Sequence, residues 1–145
     1  MLLSAKAEYG LLALVDLAMQ GGNEPVQTAQ IAARRTIPKQ FLDQLMPALK
    51  NAGLVTSVRG RQGGHKLARP AGTITLLEAV VALEGPVVNT NFSGKGSRRK
   101  YGPRRVLQAL WDDLWLNTAR RLQGKTLKDI AEECRQAEEA IVYEI

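Results

Sequence analysis

The sequence has one cysteine, Cys134, and one histidine, His65, among its 145 residues. A single cysteine cannot form a disulfide within the chain, and it cannot supply the thiolates of a multi-cysteine zinc or iron–sulfur site. No segment reaches the roughly 18 apolar residues that a membrane span requires. Lys6, Glu8 and Asp16 interrupt the apolar start of the chain, which favours a helix over a signal peptide. We therefore expect a cytoplasmic protein without membrane contact, metal or cofactor.

Acidic residues are scarce in the middle of the chain, where Asp43 is the only one between positions 34 and 69. The basic residues of the same segment are Arg34, Arg35, Lys39, Lys50, Arg59, Arg61, Lys66 and Arg69. The net charge of +6 and the pI of about 9.8 indicate a polyanionic partner, either nucleic acid or an anionic membrane surface. Residues 129–144 are instead mainly acidic, so the middle segment is where a nucleic-acid site is expected.

Catalytic constellations are also missing from the sequence. It contains no carboxylate pair, no Cys/His couple and no phosphate-binding P-loop that would indicate an enzyme. The content of 45% hydrophobic residues is enough for a buried core, and the length suggests one domain with an appended element.

Hydrophobic periodicity predicts helices over residues 4–20, 28–35 and 38–52, with a tight turn between the second and third. The buried stripe expected for the third helix consists of Phe41, Leu42, Leu45, Met46 and Leu49. Its opposite face carries Lys39, Gln40, Asp43 and Gln44. Two short helices joined in this way predict a helix-turn-helix, whose second helix reads base edges in the major groove. Asp43 could accept from a cytosine or could simply be solvated.

Residues 54–70 predict a β-hairpin in which strands near 54–58 and 65–67 flank a turn rich in arginine and glycine. Arg59 and Arg61 at such a tip could enter a narrow minor groove, where negative potential is concentrated. An ordinary solvated loop is the alternative. A helix-turn-helix followed directly by this hairpin indicates a winged helix, a fold that binds DNA in some proteins and protein partners in others.

The rest of the chain predicts a fourth helix capped by Thr75, a loop, and two further helices. The loop holds the densest positive run, residues 97–105, which is either a solvated linker or a second phosphate contact. The fifth helix, over 104–123, is more apolar than one face of a small domain needs. We predict that it forms a dimer across a two-fold axis, the alternative being a helix of the intrachain core. The dimerisation residues are Leu107, Leu110, Trp111, Leu114, Trp115 and Thr118.

The sequence thus predicts a mainly α fold with a small β-hairpin: a winged helix-turn-helix domain (1–84), a basic loop (85–103), and a dimerisation helix followed by a C-terminal helix that packs back on the first domain (104–145). Cys134 is expected on the inward face of that last helix. A buried, inert thiol is one reading of it and a redox switch is the other.

With these residues in place, the chain resembles the bacterial winged-helix regulators of the IscR/NsrR/CymR type, the Rrf2 family. The matching residues are Tyr9, Leu11-Leu12-Ala13-Leu14, Ile31-Ala32, Ile37-Pro38-Lys39-Gln40-Phe41-Leu42, Ala52-Gly53-Leu54-Val55, Ser57-Val58-Arg59-Gly60, Gly63-Gly64-His65-Lys66-Leu67-Ala68-Arg69-Pro70, Leu110-Trp111 and Thr126-Leu127. The resemblance implies a homodimeric transcription factor, usually a repressor. Its third helix would lie in a major groove and Arg59 in a minor groove.

Two departures from the family pattern qualify this resemblance. Several members bind an iron–sulfur cluster through three cysteines between the fourth and fifth helices. This sequence has Phe92 or Ser93, Arg98 or Arg99, and Arg105 in their place, and such side chains cannot replace thiolates. A member without a cluster is therefore expected. His65 stands where the family commonly has tyrosine, and we expect it to pack in the wing or touch a phosphate.

We predict an interface in which different residues perform different parts of DNA recognition. The base-reading residues are Lys39, Gln40, Asp43 and Gln44. The phosphate-contacting residues are Thr28, Arg34, Arg35, Lys50 and Lys66. Arg59 and Arg61 would enter the minor groove, and Pro38, Gly60, Gly63, Gly64 and His65 complete the surface. A two-fold dimer predicts a pseudo-palindromic double-stranded operator with half-sites about 10 or 20 bp apart. As an alternative, the regulator would receive its signal mainly from an effector or a metabolic enzyme bound at residues 92–105.

Overall fold

The computed structural model describes residues 3–85 and 102–144. The helices and strands are α1 (Ala5–Met19), α2 (Thr28–Arg35), α3 (Lys39–Asn51), β1 (Val55–Val58), β2 (Gly64–Leu67), α4 (Leu76–Glu84), α5 (Pro103–Gln123) and α6 (Leu127–Glu144). The expected mainly α fold with one small hairpin is confirmed. Residues 86–101, which include most of the predicted basic loop, lie outside the described ranges.

Local capping groups explain where several helices begin. The hydroxyl oxygens of Ser4 and Thr75 each accept a backbone N–H from the first turn of α1 and α4, at 3.1 Å in both cases. Before α6, Thr126 and Asp129 form a reciprocal pair, because each side chain accepts the other residue's N–H (3.2 and 2.9 Å). Such caps satisfy N–H groups that have no partner within the helix.

The core is built around α1, whose buried face packs against α2, α3, α4 and α6. From α3 it receives Leu42, Leu45, Met46 and Leu49, as the periodicity predicts. Phe41 was expected in this stripe, and that prediction is wrong: its side chain is exposed, with its ring edge-on to Tyr9 at a centroid distance of 5.3 Å. Phe41 lies in the first turn of α3, at the margin of the core.

The C-terminal helix α6 lies against α1 and is hydrogen-bonded to the rest of the fold at two places along its length. Near its start, Leu127 N–H donates to the Ile74 carbonyl (2.9 Å), which joins α6 to the segment before α4. Further along, Arg135 donates to the Met19 carbonyl at the carboxyl end of α1 (2.9 Å). Leu127 is buried, whereas Cys134 is half-buried. These contacts make α6 part of the same folded unit as the helix-turn-helix.

Candidate nucleic-acid interface

The outer face of α3 presents the polar residues that the sequence predicts for base reading. Because Leu42, Leu45 and Leu49 fix the inner face, Lys39, Gln40, Asp43 and Gln44 are all exposed. Lys39 Nζ lies 3.2 Å from Asp43 Oδ2, an i,i+4 ion pair between side chains that are 60% and 53% exposed. Exposed pairs of this kind are worth only a few tenths of a kcal/mol, so this pair restrains its two side chains weakly.

The hairpin is an antiparallel pair in which Val55 faces Leu67 and Val58 faces Gly64. Arg59 and Arg61 occupy the exposed turn beyond this register. The turn residue Gly60 has a φ of +112°, which side-chain-bearing residues rarely adopt. The two arginines are thus carried on a short, tightly turned tip, which agrees in shape with the predicted wing.

Gly63 and Gly64 are packed within the protein. A Cβ on Gly63 would lie 2.1 Å from the Val58 carbonyl oxygen, and one on Gly64 would lie 2.5 Å from the Val26 carbonyl oxygen. Both clashes are with backbone, which cannot turn away as a side chain can. The fold therefore requires glycine at both positions for steric reasons. Their contact with DNA stays a prediction.

The wing is hydrogen-bonded to the segment that leads into α2. The backbone groups of Val26 and His65 exchange two hydrogen bonds of 2.8 Å each, so Val26 extends the hairpin by one bridge. Gln27 Nε2 also donates to the Arg61 carbonyl at the wing tip (3.3 Å). The wing tip is therefore held relative to the start of the helix-turn-helix.

His65 joins the two parts through its side chain as well. Its Nε2 lies 3.0 Å from the Thr28 hydroxyl oxygen on α2, and its Nδ1 lies 3.0 Å from the Ser57 hydroxyl oxygen on β1. Partial burial lowers the pKa of His65, the positive charge of Lys50 lowers it further, and Asp43 opposes them. The direction of this shift favours the neutral imidazole at pH 7. The imidazole bridges wing and helix, which agrees with the packing role expected for this residue.

Arg34 and Arg35, two of the predicted phosphate contacts, meet at a buried carboxylate. Asp16 is 0% exposed and accepts from Arg34 Nη2 (2.8 Å), Arg34 Nε (3.1 Å) and Arg35 Nε (2.7 Å). This hydrogen bonding raises the pKa of Arg34. The guanidinium groups fasten α2 to α1 and keep partial exposure, at 35% and 24% of their side chains. Their predicted phosphate contact stays a prediction, to which the structure adds a tertiary role.

Sequence reasoning missed Asp16 and Gln27. Asp16 falls at helical spacing among the buried residues Ala13 and Leu17, so a charged residue on an apolar stripe was the available signal. Gln27 carried no signal, because its bond to the wing depends on how the chain folds.

The remaining predicted phosphate contacts lie at the edges of this surface. Lys50 is exposed in the last turn of α3, and Lys66 is half-buried on β2 opposite Thr56. Thr28 is half-buried at the first turn of α2, and Pro38 is exposed immediately before α3. The start of α2, the face of α3 and the wing tip thus carry these residues on connected elements.

The predicted dimerisation helix α5 contains no buried residue among those that the structure describes. Its large exposed apolar side chains are Val106, Leu107, Leu110, Trp111, Leu114 and Leu116, each between 40% and 69% exposed. Trp115 and Thr118 are half-buried. Within one chain, this amphipathic surface remains accessible to a partner.

Residues 3–85 and 102–144 contain no group of three or more His, Cys, Asp or Glu side chains that could hold a metal ion. Over the same ranges, no helix combines the length and the apolar character needed to cross a bilayer.

A family model described as "Iron-dependent Transcriptional regulator", Rrf2, matches residues 3–133. The chain belongs to the Rrf2 family of transcriptional regulators. It is 43% identical to the IscR regulator of Cereibacter sphaeroides over 117 residues, which cover 79% of this chain and 74% of that one. The Rrf2 membership makes this chain a bacterial DNA-binding regulator and not an enzyme.

Solved structures of Rrf2 regulators show the same winged-helix fold. CymR of Bacillus subtilis, described as its global cysteine regulator, superposes with a TM-score of 0.78 at 30% identity, covering 92% of this chain and 98% of CymR. IscR of T. potens gives the same TM-score and identity over 94% of this chain and 90% of its own.

Proposed function

We propose that this Rrf2 regulator is a homodimeric, sequence-specific repressor that binds a pseudo-palindromic operator. The observation that carries the proposal is the hydrogen-bonded junction of wing and helix-turn-helix, through Val26, Gln27 and His65. Because of this junction, the polar face of α3 and the arginines of the wing belong to one body. A surface of that kind can meet a major groove and the neighbouring minor groove together.

The residues divide into base-reading and backbone-contacting groups. Lys39, Gln40 and Gln44 would read base edges, and Asp43 would accept from cytosine or disfavour other bases. Arg59 and Arg61 would enter the minor groove. The basic side chains around them would contact phosphates, which supplies affinity without sequence information.

Homodimer formation is supported by the exposed apolar face of α5. Several large side chains with about half their surface exposed are costly to leave in water. The helical spacing of Leu107, Leu110, Trp111 and Leu114 places these four on one continuous strip, whereas Leu116 lies on the opposite side of the helix. A two-fold pair of such helices would bury the strip and set two reading helices at a fixed separation. Residues 1–84 would then form the DNA-binding domain, and residues 104–145 would supply the dimerisation helix and the C-terminal helix that packs back on that domain.

We further propose that this member works without an iron–sulfur cluster, although the family description includes iron. The one cysteine of the sequence, Cys134, lies half-buried on α6, whereas cluster binding needs several thiolates from the chain. The residues present therefore do not fit such a cluster, and the signal would reach the regulator by another route.

The alternative signal input is a protein partner at residues 92–105, favoured by the densest positive run of the sequence. Most of this segment lies outside the described residues. A pull-down without DNA, using the full chain and a variant with neutral residues in this run, would test it. Equal capture by both would reject this input.

Selection of bound duplexes from a random pool tests the main proposal. We expect recovery of a two-fold symmetric motif whose half-sites are centred about 10 or 20 bp apart. Recovery of unrelated sequences at physiological salt would contradict sequence-specific binding.

A further inference from the structure

Thr28, a predicted phosphate contact, forms a hydrogen bond through its hydroxyl with another side chain of the predicted interface. Its oxygen lies 3.0 Å from Nε2 of His65, and the other ring nitrogen of His65 lies 3.0 Å from the Ser57 hydroxyl. The three side chains form a chain of hydrogen bonds from the wing strand β1 to the first turn of α2. The backbone of His65, which carries the imidazole, is also held by two hydrogen bonds to the backbone of Val26.

A neutral imidazole has one N–H donor and one acceptor nitrogen, so this chain can be ordered in two ways. In one order, Ser57 donates to Nδ1 and Nε2–H donates to Thr28, whose hydroxyl hydrogen is then available for another acceptor. In the other order, Thr28 donates to Nε2 and Nδ1–H donates to Ser57. The second order uses the only hydrogen that the Thr28 hydroxyl can donate.

A DNA phosphate oxygen accepts hydrogen bonds and cannot donate them. A phosphate at the start of α2 would therefore favour the first order, because only that order offers it the Thr28 hydroxyl hydrogen. The first N–H groups of a helix and its positive dipole end also favour an anion at this place.

We infer that His65 is a positioning residue for DNA binding: by donating from Nε2 to Thr28, it directs the Thr28 hydroxyl hydrogen toward a phosphate of the DNA backbone. The inference rests on the proposed function and deepens it, because it assigns a task to the only histidine of the sequence. His65 itself is a partner of Thr28 and of Ser57, and it reaches the DNA through Thr28.

The first test needs no substitution, because His65 is the only histidine of the sequence. Protein labelled with ¹⁵N-histidine gives one imidazole signal set, which reports the protonation of each ring nitrogen. In the complex with DNA, we expect a proton on Nε2. An Nε2 without a proton in the complex would overturn the inference.

The second test is a double-mutant cycle on DNA affinity. Thr28→Val removes the hydroxyl at nearly constant shape, and His65→Phe keeps an aromatic ring but removes both side-chain hydrogen bonds. We expect each variant to lose about five-fold in affinity, for the selected operator and a random duplex alike, since a phosphate contact carries no sequence information. The double variant should be no weaker than the weaker single one, and Thr28→Ser should bind like the wild type.

Independent losses that multiply in the double variant would overturn the inference, and so would a His65→Phe variant that binds as tightly as the wild type. Circular dichroism and the oligomeric state of each variant serve as folding controls. Arg59→Ala provides the reference for the proposed function itself. If the wild type binds DNA and Arg59→Ala is weakened while the cycle is multiplicative, only the role of His65 fails. If the wild type binds no DNA, the proposed function fails and the inference with it.

Discussion

Replacing Asp16 with asparagine should destabilise the protein far more than the same change at an exposed aspartate. The Asp16 carboxylate is completely buried and receives three hydrogen bonds from Arg34 and Arg35. Asparagine has a similar size but lacks the charge, and its NH₂ group cannot accept from a guanidinium. At least one of the three bonds is therefore lost, and the remaining ones are no longer charge-assisted.

The expected magnitude follows from the surroundings of the two arginines. Removing one partner of a buried ion pair typically costs about 3–5 kcal/mol, because the other charge is left buried. Here the arginine side chains retain 35% and 24% exposure, so water can partly solvate them once the carboxylate is gone. We therefore expect a loss of about 2–3 kcal/mol in the free energy of unfolding.

Urea unfolding followed by circular dichroism, at one fixed protein concentration, measures this loss. The matched control is Asp43→Asn, which removes an exposed ion pair and should cost less than about 0.5 kcal/mol. Equal stability of the two variants would refute the view that the buried Asp16 cluster holds α2 to α1.

Three further predictions concern DNA binding, assembly and pH. If Arg34 contacts a phosphate as well as Asp16, Arg34→Ala should flatten the salt dependence of DNA affinity by about one unit of slope. An unchanged slope together with lower stability would mean that Arg34 has a structural role only. Leu114→Glu should weaken dimerisation by at least roughly a hundred-fold in sedimentation equilibrium, whereas Val142→Glu, at an exposed position on α6, should not; a dimeric Leu114→Glu would contradict the α5 interface. Burial lowers the pKa of His65 in the folded state below the ordinary value of 6.5 for histidine. Around and below pH 6.5, the unfolded chain therefore binds more protons than the folded one. Folding stability should therefore fall as the pH drops through that value, and less so in His65→Phe. An identical pH dependence of unfolding in both proteins would contradict this.

Local sequence signals were sufficient for most of the architecture. The bounds of α2 agree with prediction at both ends, and Ser4, Thr75 and Thr126 mark helix starts because capping depends on residues only a few positions apart. Phe41 was misplaced because periodicity identifies a face but not where the core ends along it.

The parts of the site that sequence reasoning did not provide are tertiary. Asp16 and the arginine pair of α2 are distant in sequence, and their meeting depends on how α1 crosses α2. The partners of His65 likewise come from α2 and from β1. The glycine content of the wing predicted a tight turn. The backbone contacts that require glycine at Gly63 and Gly64 are visible only in the folded chain.

The most direct test of the account compares the wild type with Arg59→Ala on the selected operator and on a scrambled duplex at physiological salt. We expect the wild type to prefer the operator, and Arg59→Ala to lose at least about 1 kcal/mol of operator affinity together with part of that preference. A wild type that binds both duplexes equally, or an Arg59→Ala variant that matches it on both, would contradict recognition by the reading helix and the wing.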